Sequence, residues 1–177
     1  MKKQILRTDR LVLRTWREED REAFAVINAD PLVTQFLPPM TRNDSDAAAD
    51  RIQRHFDTHG FGFWALEIPG LTRFAGIVGL AVPRFTAHFT PCVEIGWRLG
   101  SQYWNCGYAT EAARAALDYG LHELHIAQIV AFTVPQNLRS RRVMERLGMT
   151  HDPAEDFDHP LLDERDPLRR HVLYRTQ

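Results

Sequence analysis

The sequence predicts a mixed α/β fold formed by a single domain. Segments with alternating or continuous apolar residues, typical of strands, are interleaved with segments of helical period in the order β-α-α-β-β-β-α-β-α, followed by further strand material. The chain has 177 residues, the length of one ordinary domain, and no internal repeat, low-complexity tract or Gly/Ser linker divides it. We therefore expect residues 1–177 to form one domain.

The first half of the chain predicts one strand, two helices and then three strands. The predicted segments are a strand over residues 11–16, a helix from about residue 18 to residue 30, a helix over residues 44–59, and strands over residues 63–68, 74–82 and 93–99. Pro31 ends the first helix, because the residue before a proline is disfavoured in helical conformation. The second helix is expected to open at the polar cluster of residues 43–46 and to end at Gly60.

The second half predicts helices that alternate with strands. A helix from Thr110 carries alanines and leucines at three- and four-residue spacing, which places them on one face. Residues 126–134 form a continuous apolar run, typical of a strand that is buried on both faces. A helix over residues 137–147, closed by Gly148, and a last strand over residues 171–175 complete the prediction.

Composition and charge exclude several classes of protein. Lys plus Arg (22) nearly cancel Asp plus Glu (23), so charge does not indicate nucleic acid or an anionic membrane as a partner. Two cysteines are too few for a disulfide framework, the N-terminus lacks the unbroken apolar stretch of a signal peptide, and the longest uncharged apolar run, residues 74–83, cannot span a bilayer. Eight histidines without paired ligand spacing predict no metal. We expect a cytoplasmic protein.

The first candidate site is the junction from Trp104 to Glu111, where a strand has just ended and a helix begins. The first N–H groups of a helix lack intrahelical partners and carry the positive end of the helix dipole. Gly107 and Ala109 would let a phosphate approach the backbone closely, so the turn is a candidate pyrophosphate site. A helix entry with small residues for tight packing explains the same pattern.

The second candidate site is the helix that follows the buried strand of residues 126–134. Ligands of open α/β sheets bind at the carboxyl ends of strands, and Asn137 stands just past that end. Its side chain offers a donor and an acceptor, which suits an amide-bearing ligand, and Ser140 lies in the first turn. The alternative is that Asn137 is only the N-cap and Ser140 a surface hydroxyl.

Together with a third segment, these two motifs resemble a known family. The segments are E-I-G-W-x-L at residues 94–99, W-x-x-G-Y-A-T-E-A at residues 104–112, and N-x-x-S-x-x-V-x-E-x-L-G-M at residues 137–149. Their order and separations resemble the GNAT superfamily of N-acetyltransferases, and within it the branch of the ribosomal-protein N-terminal alanine and serine acetyltransferases. The resemblance runs from Thr8 to Tyr174.

The resemblance implies a mixed, mostly antiparallel sheet that splays open between its fourth and fifth strands and is flanked by about four helices. Those strands are residues 93–99 and 126–134 here. Acetyl-CoA, as co-substrate, would lie in the gap, with its pantetheine arm paired to one strand as another strand would be. The residues that the resemblance implies for binding acetyl-CoA are Trp97, Arg98 and Leu99 for the pantetheine arm, Asn105, Cys106, Gly107, Tyr108, Ala109 and Thr110 for the pyrophosphate, and Asn137 on the other side of the arm.

The chain departs from this branch at Asn105 and Cys106, where the cradle usually has a glycine followed by a basic residue. Asn tolerates positive φ better than most residues, so the turn should persist. The missing basic side chain removes one attraction to the pyrophosphate. Arg139, Arg141 and Arg142 could replace it, but we interpret them as a solvated helix face in which Arg141 forms an i,i+4 ion pair.

Acyl transfer needs a free amine and a proton for the departing thiolate. Glu94 is the candidate base, since a carboxylate on a central strand is costly unless it is paired or used. The resemblance places the family's acidic residue, which often acts through water, near this position. The alternative is a structural carboxylate bonded to backbone or arginine. Ser140 is the candidate that protonates the thiolate.

A modest base favours an α-amine as the acceptor. A terminal amine has a pKa near about 8 and a lysine near about 10.4, and the difference is worth about 3.4 kcal/mol that the enzyme need not supply. This agrees with the branch, so the N-terminal α-amine of a protein or peptide is the predicted acceptor. A backbone N–H near Trp97 is expected to stabilise the oxyanion.

The acceptor side and the competing functions are less determined by the sequence. Residues 36–39 and the aromatic group Phe61, Phe63 and Trp64 could wall the entrance, although core packing is the interpretation we favour. Residues 152–166 hold seven acidic residues, which could attract a cationic substrate or simply form a solvated loop. Acetylation of a polyamine, aminoglycoside or amino acid, and a non-catalytic CoA-binding module, are the alternative functions. The sequence permits a monomer or a homodimer.

Overall fold

The computed structural model describes residues 4–177 of the chain. Its strands are β1 (Leu6–Arg7), β2 (Val12–Arg14), β3 (Phe63–Ile68), β4 (Thr72–Ala81), β5 (Val93–Leu99), β6 (Ile129–Thr133), β7 (Thr150–His151), β8 (Phe157–Asp158) and β9 (Arg170–Arg175). Its α-helices are α1 (Asp20–Ala29), α2 (Pro31–Thr34), α3 (Arg42–His59), α4 (Tyr108–Asp118) and α5 (Leu138–Arg146). The predicted order of helices and strands is confirmed, and the structure adds the short elements β1, α2, β7 and β8.

The strands form one open sheet in the order β1-β2-β3-β4-β5-β6-β9-β7, with β8 paired to β9. Neighbours are antiparallel except β5 and β6, which run parallel and are paired only at Val93 with Ile129 and at Glu94 with Val130. Beyond these first residues the two strands part. The mixed, mostly antiparallel sheet and its opening between these strands are as predicted; they are the fifth and sixth strands because β1 precedes them.

Helices cover both faces of the sheet. On one face, the alanines of α4 (Ala112, Ala113 and Ala116) are fully buried against strand residues such as Val78 and Ile95. On the other face, Phe24 and Ala49 from α1 and α3 pack on alternate strand residues, among them Ala65, Phe74 and Ile77. The alternation follows from the two-residue period of a strand. Short side chains on α4 bring that helix, and therefore its N-terminus, close to the sheet.

Helix α3 begins earlier than the predicted start at residue 44. Helix α3 begins at Arg42, and its N-cap is Thr41, whose Oγ1 accepts a hydrogen bond from the Asp44 N–H at 3.2 Å while the Asp44 side chain accepts from the Thr41 N–H at 2.9 Å. This reciprocal capping box needs a hydroxyl three residues before the acid, and Thr41 provides it. The predicted end is correct, because Gly60 has φ +80°.

Strand β6 is shorter at its start than the apolar run suggests. Helix α4 continues into a π-helical turn over Tyr119–Glu123, and His125 then has φ +53°. Residues 126–128 are therefore part of the connection, and the strand begins at Ile129. An apolar run does not distinguish a buried loop segment from a strand, so periodicity could not place this boundary.

Pro31 ends α1 as predicted, but it also starts the next helix. Asp30 accepts a hydrogen bond from the Leu32 N–H at 2.9 Å and caps α2, where a proline is favoured at the first position. The turn carries residues 36–38 to the opening of the sheet. Within residues 4–177, none of the helices combines the length and apolar character needed to cross a bilayer.

Candidate active site

Two cavities meet where β5 and β6 part. The first has a volume of about 520 Å³ and lies between β5, the N-terminus of α4, and α5. The second has a volume of about 490 Å³ and lies on the side of α1 and α3. Five residues line both cavities: Gly96, Trp97, Arg98, Phe132 and His159. A molecule in one cavity could therefore contact a molecule in the other at this junction.

The turn before α4 has the conformation that a close approach to the backbone requires. Asn105 has φ +62° and Gly107 has φ +81°, and α4 starts at the next residue. The predicted tolerance of Asn105 for positive φ is confirmed. The N–H groups of Tyr108, Ala109 and Thr110 belong to the first helical turn, which lacks intrahelical acceptors. All five of these residues line the first cavity, whereas Cys106 is exposed and lines neither cavity.

Arg10, which sequence analysis did not single out, braces this turn from outside. Its guanidinium donates to the Cys106 carbonyl at 3.1 Å and lies 2.6 Å from the Glu111 carboxylate. It also stands 4.8 Å from the centre of the Tyr108 ring. Because about one hundred residues separate Arg10 from its partners, no local pattern in the sequence indicates the contact.

Three arginines of α5 line the first cavity at helical spacing: Arg139, Arg142 and Arg146. The Arg139 guanidinium lies 4.2 Å from the centre of the Trp104 ring. The prediction of a solvated helix face is confirmed for Arg139 and Arg142, which are both exposed. The same face of α5 also borders the first cavity, so these cations are accessible to a ligand bound there. These cations line the same cavity as the α4 turn, in which this chain has Cys106 instead of the basic residue usual in the branch that it resembles.

Arg141 lies on another face of α5 and is not part of the cavity. It donates to the Pro135 carbonyl at 3.2 Å and to the Tyr174 hydroxyl at 3.3 Å. That hydroxyl in turn donates to Glu145 at 3.2 Å. The predicted pair of Arg141 and Glu145 is thus bridged by a tyrosine rather than direct.

Asn137 and Ser140 form a small network at the start of α5. The Asn137 side chain accepts from the Ser140 N–H at 3.3 Å and donates to Thr133 Oγ1 at 3.0 Å and to Ser140 Oγ at 3.1 Å. Asn137 is therefore the N-cap of α5, as the alternative interpretation had it, and it also lines the first cavity. Because Ser140 Oγ accepts from Asn137, its own proton remains available to donate into the cavity that Ser140 lines.

Glu94 lies in the second cavity and faces away from the main core. Along β5, Ile95 and Leu99 pack in the core under α4, so Glu94, Gly96 and Arg98 point to the opposite face. The Glu94 carboxylate makes no hydrogen bond to any residue among 4–177, so neither a backbone nor an arginine partner explains it. Burial raises its pKa to about 7. A carboxylate with this pKa can accept a proton near neutral pH.

Arg98 is the second charged group of β5 that lines the second cavity. Its Nη1 donates to Asn28 Oδ1 at 2.6 Å, and the Asn28 amide donates to Ser45 Oγ at 2.8 Å. Within residues 4–177, no carboxylate lies within ion-pair distance of its guanidinium. Burial lowers the pKa of Arg98 to about 10, so it remains a cation at neutral pH.

The histidines beside the cavities are neutral groups. Burial lowers the pKa values of His159 and His171, whose rings lie 5.1 Å apart beside Phe132. His55 is held in one tautomer, since one ring nitrogen bonds the Phe61 carbonyl at 2.8 Å and the other accepts from the Val82 N–H at 2.9 Å. Sequence analysis missed these residues, because their spacing shows no pattern.

The remaining predicted walls divide between the cavities and the core. Phe36, Leu37 and Pro38 line the first cavity, so the preference for core packing is wrong for them. Phe63 lines the second cavity but also packs against the core on that face of the sheet. The preference for core packing is correct for Phe61 and Trp64, which are buried in the main core. The sequence prediction did not include α2, the short helix that brings residues 36–38 to the opening of the sheet.

The acidic segment of residues 152–166 does not line either cavity with a carboxylate. Asp156 pairs with His151 at 2.7 Å, Asp158 with Arg170 at 3.4 Å, and Glu155 with Arg175. A solvated loop is therefore the better interpretation. In the described part of the chain, no three His, Cys, Asp or Glu side chains come together in a way that could hold a metal ion.

Comparison with known proteins defines the class to which this fold and site belong. A family model described as an acetyltransferase (GNAT) domain matches residues 10–150. The chain therefore belongs to the GNAT acetyltransferase family and is an acyltransferase, as the three sequence motifs predicted.

Individual relatives cover most of the chain. It is 33% identical over 147 residues to YnaD of Bacillus subtilis strain 168, named as an uncharacterized N-acetyltransferase, with 82% of each chain covered. It is 28% identical over 183 residues to the [ribosomal protein uS5]-alanine N-acetyltransferase of Escherichia coli K12, covering 95% of this chain and 88% of that one. A solved acetyltransferase from Agrobacterium tumefaciens C58 has a TM-score of 0.79 at 28% identity and covers 98% and 94% of the two chains.

Proposed function

We propose that this protein transfers the acetyl group of acetyl-CoA to a free α-amine, that of the N-terminus of a protein or peptide. The observation that carries the proposal is the placement of Glu94. Its carboxylate has no protein partner among the described residues, lines the second cavity, and stands two residues from Gly96, where the two cavities meet. An amine at that junction would have a base on one side and the thioester on the other.

The first cavity suits acetyl-CoA. From Ile95 onward, the edge of β5 that faces β6 has no strand partner, so its backbone groups are available to the amides of the pantetheine arm. The α4 turn offers N–H groups beside Gly107, which has no side chain to cover them, and the cations of α5 line the same cavity. Phosphates bind well to such a helix start, because the unpaired N–H groups and the helix dipole both favour an anion.

The chemistry of the acceptor follows from the pKa of its base. Glu94, with a pKa of about 7, would take the proton of an α-amine, directly or through a water molecule. An α-amine has a pKa near about 8, which leaves a small gap, whereas a lysine would require about 3.4 kcal/mol more. Ser140 would return a proton to the CoA thiolate, and a backbone N–H near Trp97 would stabilise the oxyanion.

The relatives support an α-amine without identifying the acceptor of this chain. The E. coli relative is named for an alanine of ribosomal protein uS5, and the fold is shared over nearly the whole length. We keep the prediction of a cytoplasmic enzyme, a monomer or homodimer, whose partners are acetyl-CoA and the amine.

Thiol release from acetyl-CoA, measured against peptides with free N-termini, the same peptides blocked at the N-terminus, and free amino acids, tests this function. We expect release with free α-amines and none with peptides whose only amine is a lysine side chain. Glu94→Gln should slow release about 10²-fold, while Glu164→Gln, an exposed acid of the 152–166 loop, should leave it unchanged. The proposal would be overturned by thiol release with lysine-only peptides, or by a lack of release with every α-amine tested.

A further inference from the structure

We infer that the acceptor carries an anionic group close to its reacting amine, and that the Arg98 side chain binds this anion in the second cavity. The inference rests on the proposed function and narrows its substrate class. It begins from the charges that face the second cavity and from the lack of any protein anion beside Arg98.

The second cavity has an excess of positive charge. Three arginines line it (Arg51, Arg84 and Arg98), against one carboxylate, Glu94. The two histidines in its lining have pKa values lowered by burial and are neutral at pH 7. Polyamines and aminoglycosides would therefore meet net repulsion on entry, and an acceptor with a negative group would be attracted.

Arg98 is built to present its cation rather than to bind a protein carboxylate. Asn28 holds Nη1 at 2.6 Å, and Ser45 holds Asn28 at 2.8 Å, so one edge of the guanidinium is anchored by α1 and α3. Nη1 also contacts Met40 Sδ at 3.4 Å. Among residues 4–177, the Nε and Nη2 groups of Arg98 have no hydrogen-bond partner. The buried Arg14, which is 4% exposed, differs from Arg98 because its guanidinium forms ion pairs with the carboxylates of Asp20 at 2.7 Å and Glu67 at 2.9 Å.

The position of Arg98 sets the distance between amine and anion. Glu94, Gly96 and Arg98 follow each other on one face of β5, so Gly96 is about 7 Å along the strand from each charged residue. An amine at Gly96 would have Glu94 on one side as a base, and its anion would reach Arg98 on the other. This separation fits the carboxylate of a free amino acid, or an acidic side chain at the first or second residue of a peptide.

Arginine is suited to this role because its planar fork binds a carboxylate through two hydrogen bonds. The predicted contact of Arg98 with acetyl-CoA uses its backbone on the strand edge, not its side chain. A substitution of the side chain can therefore change acceptor binding while acetyl-CoA binding is kept.

Matched acceptor pairs test the inference. One pair is alanine and its amide; the other is an amidated tripeptide with Glu or with Gln at its second position. Rates are compared per unprotonated amine, because the members of a pair differ in amine pKa. We expect wild-type kcat/KM to favour the anionic member of at least one pair by a factor on the order of 10 to 100, through KM more than kcat. The pair that shows the preference identifies the source of the anion.

Three variants assign the preference to Arg98. Arg98→Met should reduce the preference for the anionic member to less than about threefold, Arg98→Lys should retain part of it, and Arg54→Gln should retain all of it. Arg54 is an exposed arginine of α3 that lines neither cavity. Melting curves and acetyl-CoA affinity show whether each variant is folded. If Arg98→Met does not fold, the wild-type pairs and Arg98→Lys decide.

Equal rates within both pairs, a preference for the neutral members, or a preference that survives in Arg98→Met would overturn the inference and leave the proposed function standing. Absence of thiol release with every α-amine would instead overturn the proposed function, and the inference with it.

Discussion

The two cavities of this enzyme are built in different ways. The first contains two stretches of chain, residues 104–110 and 137–146, that each include the start of a helix. The second is lined by side chains from the interiors of α1 and α3, from β3, β4, β5 and β6, and from the loops before α3, after β4 and after β8. A helix start offers backbone N–H groups whatever its side chains are, so we expect the first cavity to tolerate a change of side chain such as Cys106. Recognition in the second cavity depends on the identity of each side chain.

The charged side chains of the two cavities also differ in how far they are exposed to water. Arg139, Arg142 and Arg146 are exposed at the mouth of the first cavity, where water screens them. Glu94 and Arg98 are buried enough that their pKa values move to about 7 and about 10. We therefore propose that the arginines of the first cavity attract phosphates mainly at short range and in a salt-dependent way. The second cavity holds the two charged groups that we propose for proton transfer and for selection of the acceptor.

The largest expected effect is the loss of acetyl-CoA binding when a negative charge is placed at the α4 turn of the first cavity. Gly107→Glu places a side chain and a negative charge where the pyrophosphate is expected, at a residue with φ +81° whose Cβ would lie 3.3 Å from Arg10 Nη2. We expect the rise in melting temperature caused by saturating acetyl-CoA to be almost lost. The control is Gly70→Glu, which has a similar φ of +79° but open space around it. Equal shifts in both variants would place the cradle elsewhere.

Loss of the hydroxyl at the start of α5 should separate chemistry from binding in the same cavity. Ser140→Ala removes the proton donor but leaves the Ser140 N–H bonded to Asn137, so the helix start is retained. We expect kcat to fall on the order of 10²-fold with acetyl-CoA affinity little changed. Single-turnover rates and a binding titration measure the two effects. Unchanged turnover would assign the proton to Tyr108 or to water.

The pH profile of Glu94→Gln tests whether the second cavity supplies the base. Below about pH 7, the unprotonated fraction of Glu94 in the wild type and that of the amine in both proteins rise in parallel with pH. The ratio of wild-type to variant kcat/KM should therefore be constant in this range. Above about pH 7 the ratio should shrink as solvent deprotonates the amine. Measurements from pH 6 to 9.5 suffice. A constant ratio across the whole range would make Glu94 structural.

The smallest expected effect is on stability, and its sign is informative. Burial raises the pKa of Glu94 from 4.5 to about 7 in the folded protein, so between these values the native state holds the proton more tightly than the unfolded chain. The contribution of Glu94 to stability is therefore greatest at low pH and is lost as pH rises through about 7. Glu94→Gln should raise the melting temperature by a few degrees at pH 8.5 and by less at pH 5. A lower melting temperature at pH 8.5 would indicate a structural carboxylate.

The sequence by itself determined the order of elements, the α4 turn and the start of α5. These features depend on residues within a few positions of each other: the period of an amphipathic helix, the positive φ that Asn105 and Gly107 accept, and the capping side chain of Asn137. Local signals failed where they were ambiguous. Thr41 was passed over in favour of the polar cluster after it, and the apolar run of residues 126–134 hid the end of a π-helical turn.

Only the tertiary structure decided which charged groups share a cavity. Arg98 meets Asn28 across 70 residues, Arg10 meets Glu111 across 101, and the exposed Arg139 lies over the ring of Trp104. Such contacts follow from strand register and helix packing, and a shift of one residue in a strand would move Glu94 and Arg98 to the other face of the sheet. The pKa values of Glu94 and Arg98 depend on the same placement, because burial and the lack of an ion-pair partner among residues 4–177 are properties of the folded cavity rather than of the residues themselves.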